Sequence, residues 1–264
     1  MSLEIRRMKS WFDKQKILRF LDEKYDNVYI LFDIDNYYFL SNSNQFYYSV
    51  SDGDVDAVVL VYYSSSGVKD IWGVGSSDSL LNIFNSLDLS NSVVHTPTNL
   101  EIHNFSGYSA LYKEYCMYLK PPMGDDQPSV RLLGPSDYLE YMKLMVNWNG
   151  SRFPKMSLED FKNNVTYGTI YGYFSEGKIL SAASVGAIWK QWFVVSSVFT
   201  HPEFRNRGLA KKVISKILYD YSHMETAILF VNVENKPAIN AYSSLGFKTY
   251  SENYWIDFNT GLVP

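Results

Sequence analysis

The chain of 264 residues carries 24 Lys+Arg against 28 Asp+Glu, a formal charge of −4, and is 46% hydrophobic and 20% charged. That is globular composition, which excludes a disordered or fibrous chain, and the acidic balance gives no sign of general nucleic-acid binding. No apolar run approaches the roughly eighteen residues of a membrane-crossing helix, and the length allows one large domain or two modest ones.

The start Met1-Ser2-Leu3-Glu4-Ile5-Arg6-Arg7 has no apolar core behind its charges, so no secretory leader is expected, and neither end carries a lipidation pattern. One cysteine, Cys116, cannot close an intramolecular disulfide, which points to a reducing, cytoplasmic setting. Glycosylation-type triplets at Asn104, Asn149 and Asn164 read as chance in an Asn/Ser-rich chain. The 22 Tyr, 16 Phe and 6 Trp suit either tightly packed cores or aromatic-lined clefts.

In chain order, residues 8–25 predict a helix with Met8, Trp11, Leu18, Leu21 and Tyr25 on one side. Val28–Phe32 and Tyr37–Leu40 read as strands around Asp33-Ile34-Asp35-Asn36, and Phe46–Val50 and Ala57–Tyr63 as further strands. Ser79–Leu87 has helical spacing, Leu100–Phe105 alternates like a strand, and Tyr108–Leu119 reads as a helix. Lys120-Pro121-Pro122-Met123-Gly124-Asp125-Asp126-Gln127-Pro128 then breaks the pattern, placing a domain division near residue 128.

Beyond it, Val130–Leu133 predicts a short strand, Ser136–Val146 a helix, and Ser157 with Asp160 a second helix start. Thr169–Phe174 and Ile179–Trp189 form a hairpin, and Lys190-Gln191 turns into the strand Trp192–Thr200. A helix from Gly208 to about Tyr221 and a buried strand Ala227–Val233 follow. Asn235 caps the next helix, Pro237 lies near its first turn, Gly246 ends it, and Phe247–Tyr250 and Tyr254–Phe258 close the chain as strands.

The chemistry concentrates at Val198-Phe199-Thr200-His201-Pro202-Glu203-Phe204-Arg205-Asn206-Arg207-Gly208-Leu209-Ala210-Lys211-Lys212, a strand running through a turn into a helix. The first amides of a helix carry the positive end of its dipole and accept phosphate. Gly208 lacks a Cβ, so a diphosphate can lie against the backbone, and four of the eight residues from 205 to 212 are basic in an acidic chain. Taken alone, this stretch reads equally as a solvated basic helix start.

Thirty residues after Arg205 stands Asn235-Lys236-Pro237-Ala238-Ile239-Asn240-Ala241-Tyr242-Ser243-Ser244-Leu245-Gly246-Phe247. Together the two stretches resemble the GCN5-related N-acetyltransferase (GNAT) superfamily. The first matches its Gln/Arg-x-x-Gly-x-Gly/Ala pyrophosphate loop, and the second its Asn-x7-Tyr-x3-Gly-Phe signature. The element order after residue 128 agrees.

The resemblance implies an α/β fold, a mixed sheet with a V-shaped opening between strands 192–200 and 227–233 that admits acetyl-coenzyme A. The backbone of Val198, Phe199 and Thr200 would meet the pantetheine arm. Arg205, Asn206, Arg207, Gly208, Leu209, Ala210 and Lys211 would hold the pyrophosphate, with Lys211 or Lys212 reaching a phosphate. Asn235 would contact the coenzyme near its thiol end while also capping its helix. Tyr242 aligns with the family's proton donor, which protonates the thiolate as an amine displaces it. Many relatives carry a Glu base five residues before the Asn motif; here that position is Phe230, and His201, Glu203, Ser196, Ser197 or Asn232 acting through water remain open.

The first half has no second pyrophosphate loop. It reads as a degenerate GNAT-like repeat or an accessory substrate domain over residues 1–128, a layout similar to glycine N-acyltransferase-like proteins, with the acetyltransferase domain at 129–264. The implied activity is acetyl transfer to a primary amine, a small amine or amino acid first and a protein N-terminus or lysine second. A coenzyme A-binding regulatory or assembly module without catalysis is the alternative. No metal, nucleic-acid or membrane partner is expected. Asp52-Gly53-Asp54-Val55-Asp56 fails as a calcium loop at Ala57 and Tyr63, Trp72-Gly73-Val74-Gly75-Ser76-Ser77 reads as a turn, Cys116 as a buried thiol in a helix, and the histidines at 95, 103, 201 and 223 have no metal spacing.

Overall fold

The computed structural model describes residues 4–37, 44–63, 68–146, 157–166 and 168–258. By its internal contacts the chain divides into two compact units, Met1–Cys116 with Ser251–Pro264, and Met117–Tyr250. The Pro-rich segment around residue 128 therefore lies inside the second unit, and the end of the chain returns to the first. Proline content marks a break in local pattern, but no local signal shows which unit a later strand rejoins.

In the first unit, β1 (Glu4–Arg7) pairs with β2 (Asn44–Ser51), and β2, β3 (Asp54–Tyr63) and β4 (Lys69–Gly75) form an antiparallel meander. The helices α1 (Trp11–Phe20) and α2 (Val28–Asp35) precede β2, and α3 (Ser77–Ser86) crosses over to β5 (Ser92–Pro97), parallel to β4. Ser10 and Asp13 form the capping box that opens α1. The core gathers Val59, Val61, Ile71, Leu80, Phe84 and Val94. Strand β6 (Ala110–Leu119) starts in this unit, and Asn253–Asp257 of the chain's last strand pairs antiparallel with β5.

The second unit repeats the arrangement. Strands β7 (Val130–Leu132), β8 (Ile170–Ser175), β9 (Lys178–Trp189) and β10 (Trp192–Thr200) are successively antiparallel, with α4 (Tyr138–Val146) and α5 (Leu158–Thr166) between β7 and β8. Helix α6 (Leu209–Asp220) leads to β11 (Thr226–Asn232), parallel to β10, and α7 (Lys236–Ser244) leads to β12 (Lys248–Asp257). One face of the β8–β10 sheet packs Ile170, Ile179, Ala182 and Phe199 against Tyr141, Leu144 and Phe161 of α4 and α5. Among the described residues no helix is long and apolar enough to cross a membrane.

Several elements differ from the sequence reading. The first helix is shorter and is preceded by a strand, because Ser10 caps it after Met8. Val28–Asp35 is helical rather than extended: its first five residues, Val28–Phe32, are all apolar, which hides the buried stripe at Val28, Ile30, Leu31 and Ile34. Tyr38–Leu40, the Ser157–Asp160 capping pair and the Asn149 triplet lie outside the described residues or side chains. Leu100–Phe105 holds a short 3₁₀ turn at Ile102–Asn104, not a strand. Ala110–Leu119, read as a helix, is a strand; its inward face carries the buried Glu114, a polar residue that masks the alternation. Cys116 is buried as expected, but on that strand. The two closing strands are one, since the polar Ser251-Glu252-Asn253 continues the ladder with Asn253 opposite Pro97.

Candidate active site

Strands β10 and β11 run side by side only from Trp192↔Thr226 to Val194↔Ile228. On its other edge β10 stays with β9, but the register shifts between Val194 and Val195 and again between Ser196 and Phe199. Ser197 sits in the second shift with a φ of 51°, the signature of a bulge that bends a strand. The bend carries β10 away from β11, so beyond Val194 its outer edge has no strand partner among the described residues. Val198 lies in the bulge. Phe199 turns its ring into the core and Ser181 Oγ donates to its carbonyl at 2.9 Å. Thr200 Oγ1 shares a hydrogen bond with Ser181 Oγ at 2.9 Å, and Arg205 Nε donates to the Thr200 carbonyl at 3.3 Å.

Past β10 the chain makes a 3₁₀ turn at Pro202–Phe204 and enters α6 through two left-handed residues, Asn206 at φ 62° and Gly208 at φ 74°. Gly208 is the N-cap and offers no side-chain cap, and the first turn holds no acid. The first bond of the helix is Lys212 N to Gly208 O at 3.1 Å. Ahead of it, the amides of Gly208, Leu209, Ala210 and Lys211 donate to no acceptor among the described residues. A Cβ built on Gly208 would meet only Lys211 Cε, at 3.9 Å, so the space over this backbone is open. Arg205, Asn206, Arg207 and Lys211 are exposed around it. Lys212 turns elsewhere, its ammonium 5.4 Å from the Tyr173 ring centroid. Of the two lysines named from sequence, Lys211 is the one beside the open helix end.

Helix α7 follows β11 directly. Asn235 Oδ1 accepts the Ala238 amide at 3.2 Å, so Asn235 is a genuine N-cap. Tyr242 is buried, its ring 6.3 Å from that of Phe247, whose amide returns to the Tyr242 carbonyl at 3.1 Å. Burial pushes its phenol up to about 12. The phenol is therefore protonated throughout the neutral range, and its hydroxyl bonds to none of the described residues.

Phe230 on β11 is half-buried and supplies no carboxylate. Of the groups left open for a base, Asn232 Oδ1 is taken by the Glu234 amide at 2.8 Å. Ser196 Oγ is paired with Ser184 Oγ at 3.0 Å, and Glu203 is exposed. His201 keeps a buried Nδ1 without a hydrogen-bond partner. The Ser181 and Ser184 contacts that brace the bulged strand have no signature in the sequence, because hydroxyls in a β-rich stretch read as ordinary strand residues. Among the described residues no group of three His, Cys, Asp or Glu could hold a metal.

Residues 170–256 match the family described as FR47-like protein, which spans both signature stretches. No curated protein matches the sequence. The fold is similar to that of a Drosophila protein over 98% of both chains, at 15% identity and a TM-score of 0.70. It is also similar to a GCN5-related N-acetyltransferase from Sphaerobacter thermophilus, over 96% of this chain and 94% of the other at 12% identity and a TM-score of 0.61. A tandem GNAT protein from the clavulanic acid biosynthesis pathway aligns over 97% and 98% of the two chains, at 10% identity and a TM-score of 0.59.

Proposed function

Residues 170–256 carry the FR47-like, GNAT-related match within a chain of two-unit GNAT fold, and from that premise we propose that the second unit is an acetyl-coenzyme A-dependent N-acetyltransferase acting on a primary amine. The observation that carries the reading is the run of four amides at Gly208–Lys211 that have no partner among the described residues, set at the end of a strand that has left its neighbour. Backbone donors at a helix start, with Arg205, Arg207 and Lys211 around them, suit a diphosphate in geometry and charge. The open edge of β10 at Val195–Thr200 suits an amide-bearing arm that pairs like a strand. What the coenzyme supplies is an activated acetyl thioester.

Within this reading each residue keeps a defined task. Gly208, Leu209, Ala210 and Lys211 bind through their amides, and Arg205, Asn206 and Arg207 line the same end. The backbone of Val198 and Thr200 orients the arm, Phe199 contributing backbone alone because its side chain is core. Asn235 holds the start of α7 and faces the thiol end. As the amine nitrogen bonds to the acetyl carbon and the carbon–sulfur bond breaks, Tyr242 would give the proton on its phenol oxygen to the leaving sulfur, and the proton lost by the amine would restore the phenol. A pKa of about 12 keeps that proton in place at neutral pH, so the phenol is present as a donor when negative charge builds on the sulfur. The first unit serves acceptor binding, a small amine or amino acid before a protein amine. A reducing, cytoplasmic setting belongs to the same reading and rests on the single buried Cys116.

Phe230 in place of an acid favours a second reading, a coenzyme A-binding module without turnover. Acetyl transfer measured over a panel of amines, wild type against Tyr242→Phe, separates the two. Turnover that depends on the phenol supports the enzyme; coenzyme binding with no turnover on any amine supports the module.

A further inference from the structure

The first unit repeats the framework of the candidate site, with α3 between the parallel strands β4 and β5 as α6 lies between β10 and β11. The chemistry at its helix start is the reverse. Asp56 Oδ2, from β3, accepts the hydroxyls of Ser76 and Ser79, each at 2.5 Å. Ser76 Oγ in turn accepts the Ser79 amide at 3.4 Å, and the Ser76 amide donates to the Asp56 carbonyl at 3.2 Å. Asp78 adds a second carboxylate in the first turn. No Lys or Arg occurs between residues 71 and 112, whereas four stand between 205 and 212.

A helix start favours negative charge nearby, and carboxylates already in place there repel a further anion. At α6 that charge has to come from outside the chain; at α3 it is built in. The neighbouring fork has aromatic side chains at its base. Pairing of β4 with β5 ends at Trp72↔His95, where the two rings stack 4.0 Å apart. The hollow lined by Asp26, Ile30, Trp72, His95 and Thr96 has a volume of about 10 Å³, room for roughly one water.

We propose that the Asp56 carboxylate takes, inside the chain, the place that a coenzyme diphosphate takes at α6, so that each chain binds one coenzyme molecule, through the second unit. The proposal rests on the coenzyme reading of that unit for its stoichiometry, and on the α3 geometry alone for the role of Asp56.

Two measurements on the full chain separate these. In a calorimetric titration with coenzyme A, one molecule per chain is expected. Two per chain would overturn the proposal while upholding the coenzyme reading; no binding would overturn that reading and the stoichiometry with it. The role of Asp56 is then decided by thermal unfolding of wild type and Asp56→Gly with inorganic pyrophosphate as the probe. Asp56→Gly should melt below wild type, and saturating pyrophosphate should raise its Tm by roughly 5 °C more than it raises that of wild type. An equal rise in both proteins would show that no anion place has been vacated and would overturn the proposal. Should Asp56→Gly fail to fold, Asp56→Asn, which keeps an acceptor for both serines but removes the charge, carries the same comparison.

Discussion

Val194 and Ile228 are the last residues at which β10 and β11 lie side by side, and the shift that follows at Ser196–Phe199 takes β10 out of the ladder just before it delivers the chain to Gly208. The bulge and the open helix start are therefore one construction. It frees a strand edge and a set of amides within a few residues of each other.

Gly208 is the position where this construction is most exposed to change. Its φ of 74° and the open space above it make Gly208→Asp a change of modest cost to the fold, about 1 kcal/mol for a left-handed non-glycine residue. The new carboxylate would stand where the diphosphate is proposed to bind. Coenzyme A affinity should fall roughly 10- to 100-fold, the worth of one or two charge-assisted hydrogen bonds. Calorimetry gives the affinity, and an unchanged circular dichroism spectrum shows that the fold persists.

Tyr242→Phe removes a hydroxyl that bonds to none of the described residues, so stability should hardly move. Loss of the proton donor should lower kcat by roughly 10²- to 10⁴-fold with the coenzyme Kd unchanged. Because burial holds the wild-type phenol up to about 12, no alkaline fall in kcat from this group is expected between pH 7 and 10. Steady-state rates across that range, with binding measured in parallel, test both statements.

Asp33 sits buried on α2, and that burial pushes its carboxyl up to about 7. An unfolded Asp titrates near 4, so the folded state holds this proton more tightly. The resulting stability is fully present below about pH 4 and is lost as pH rises through about 7, at no more than about 1.4 kcal/mol per pH unit. The Tm should be lower at pH 8 than at pH 5, and Asp33→Asn should flatten the difference.

Glu114 on β6 bonds His95 Nδ1 at 2.7 Å, with the carboxylate side chain only 2% exposed. Glu114→Ala takes that bond from a partly buried ring and leaves a void, and should lower unfolding stability by roughly 2–3 kcal/mol. Urea denaturation measures it. A change below about 0.5 kcal/mol would mean that the pair is not formed in solution.

The second unit was largely legible in the sequence because its signals are local. Caps at Asn235 and Gly208, turns at Glu176-Gly177 and Lys190-Gln191, and the apolar rows of α6 each fix an element within a few residues. The first unit was less so. Val28–Phe32 is too uniformly apolar for the helical stripe of its segment to stand out, and Glu114 hides a strand because its partner, His95, is distant in sequence. The return of Asn253–Asp257 to β5 is a long-range pairing of the same kind. Around the candidate site the turn into α6 and the capped start of α7 follow from local signals. The bulge at Ser197 does not, since a positive φ at a serine follows from the register of β9.

The central claim, that open backbone amides at Gly208–Lys211 grip a diphosphate, is tested most directly by titrating the protein with coenzyme A and with pantetheine, which shares the thiol arm but lacks the nucleotide diphosphate. The account predicts that pantetheine binds at least about 100-fold more weakly, two charge-assisted contacts being worth roughly 3 kcal/mol or more. Equal affinity for the two, or none for either, would contradict it.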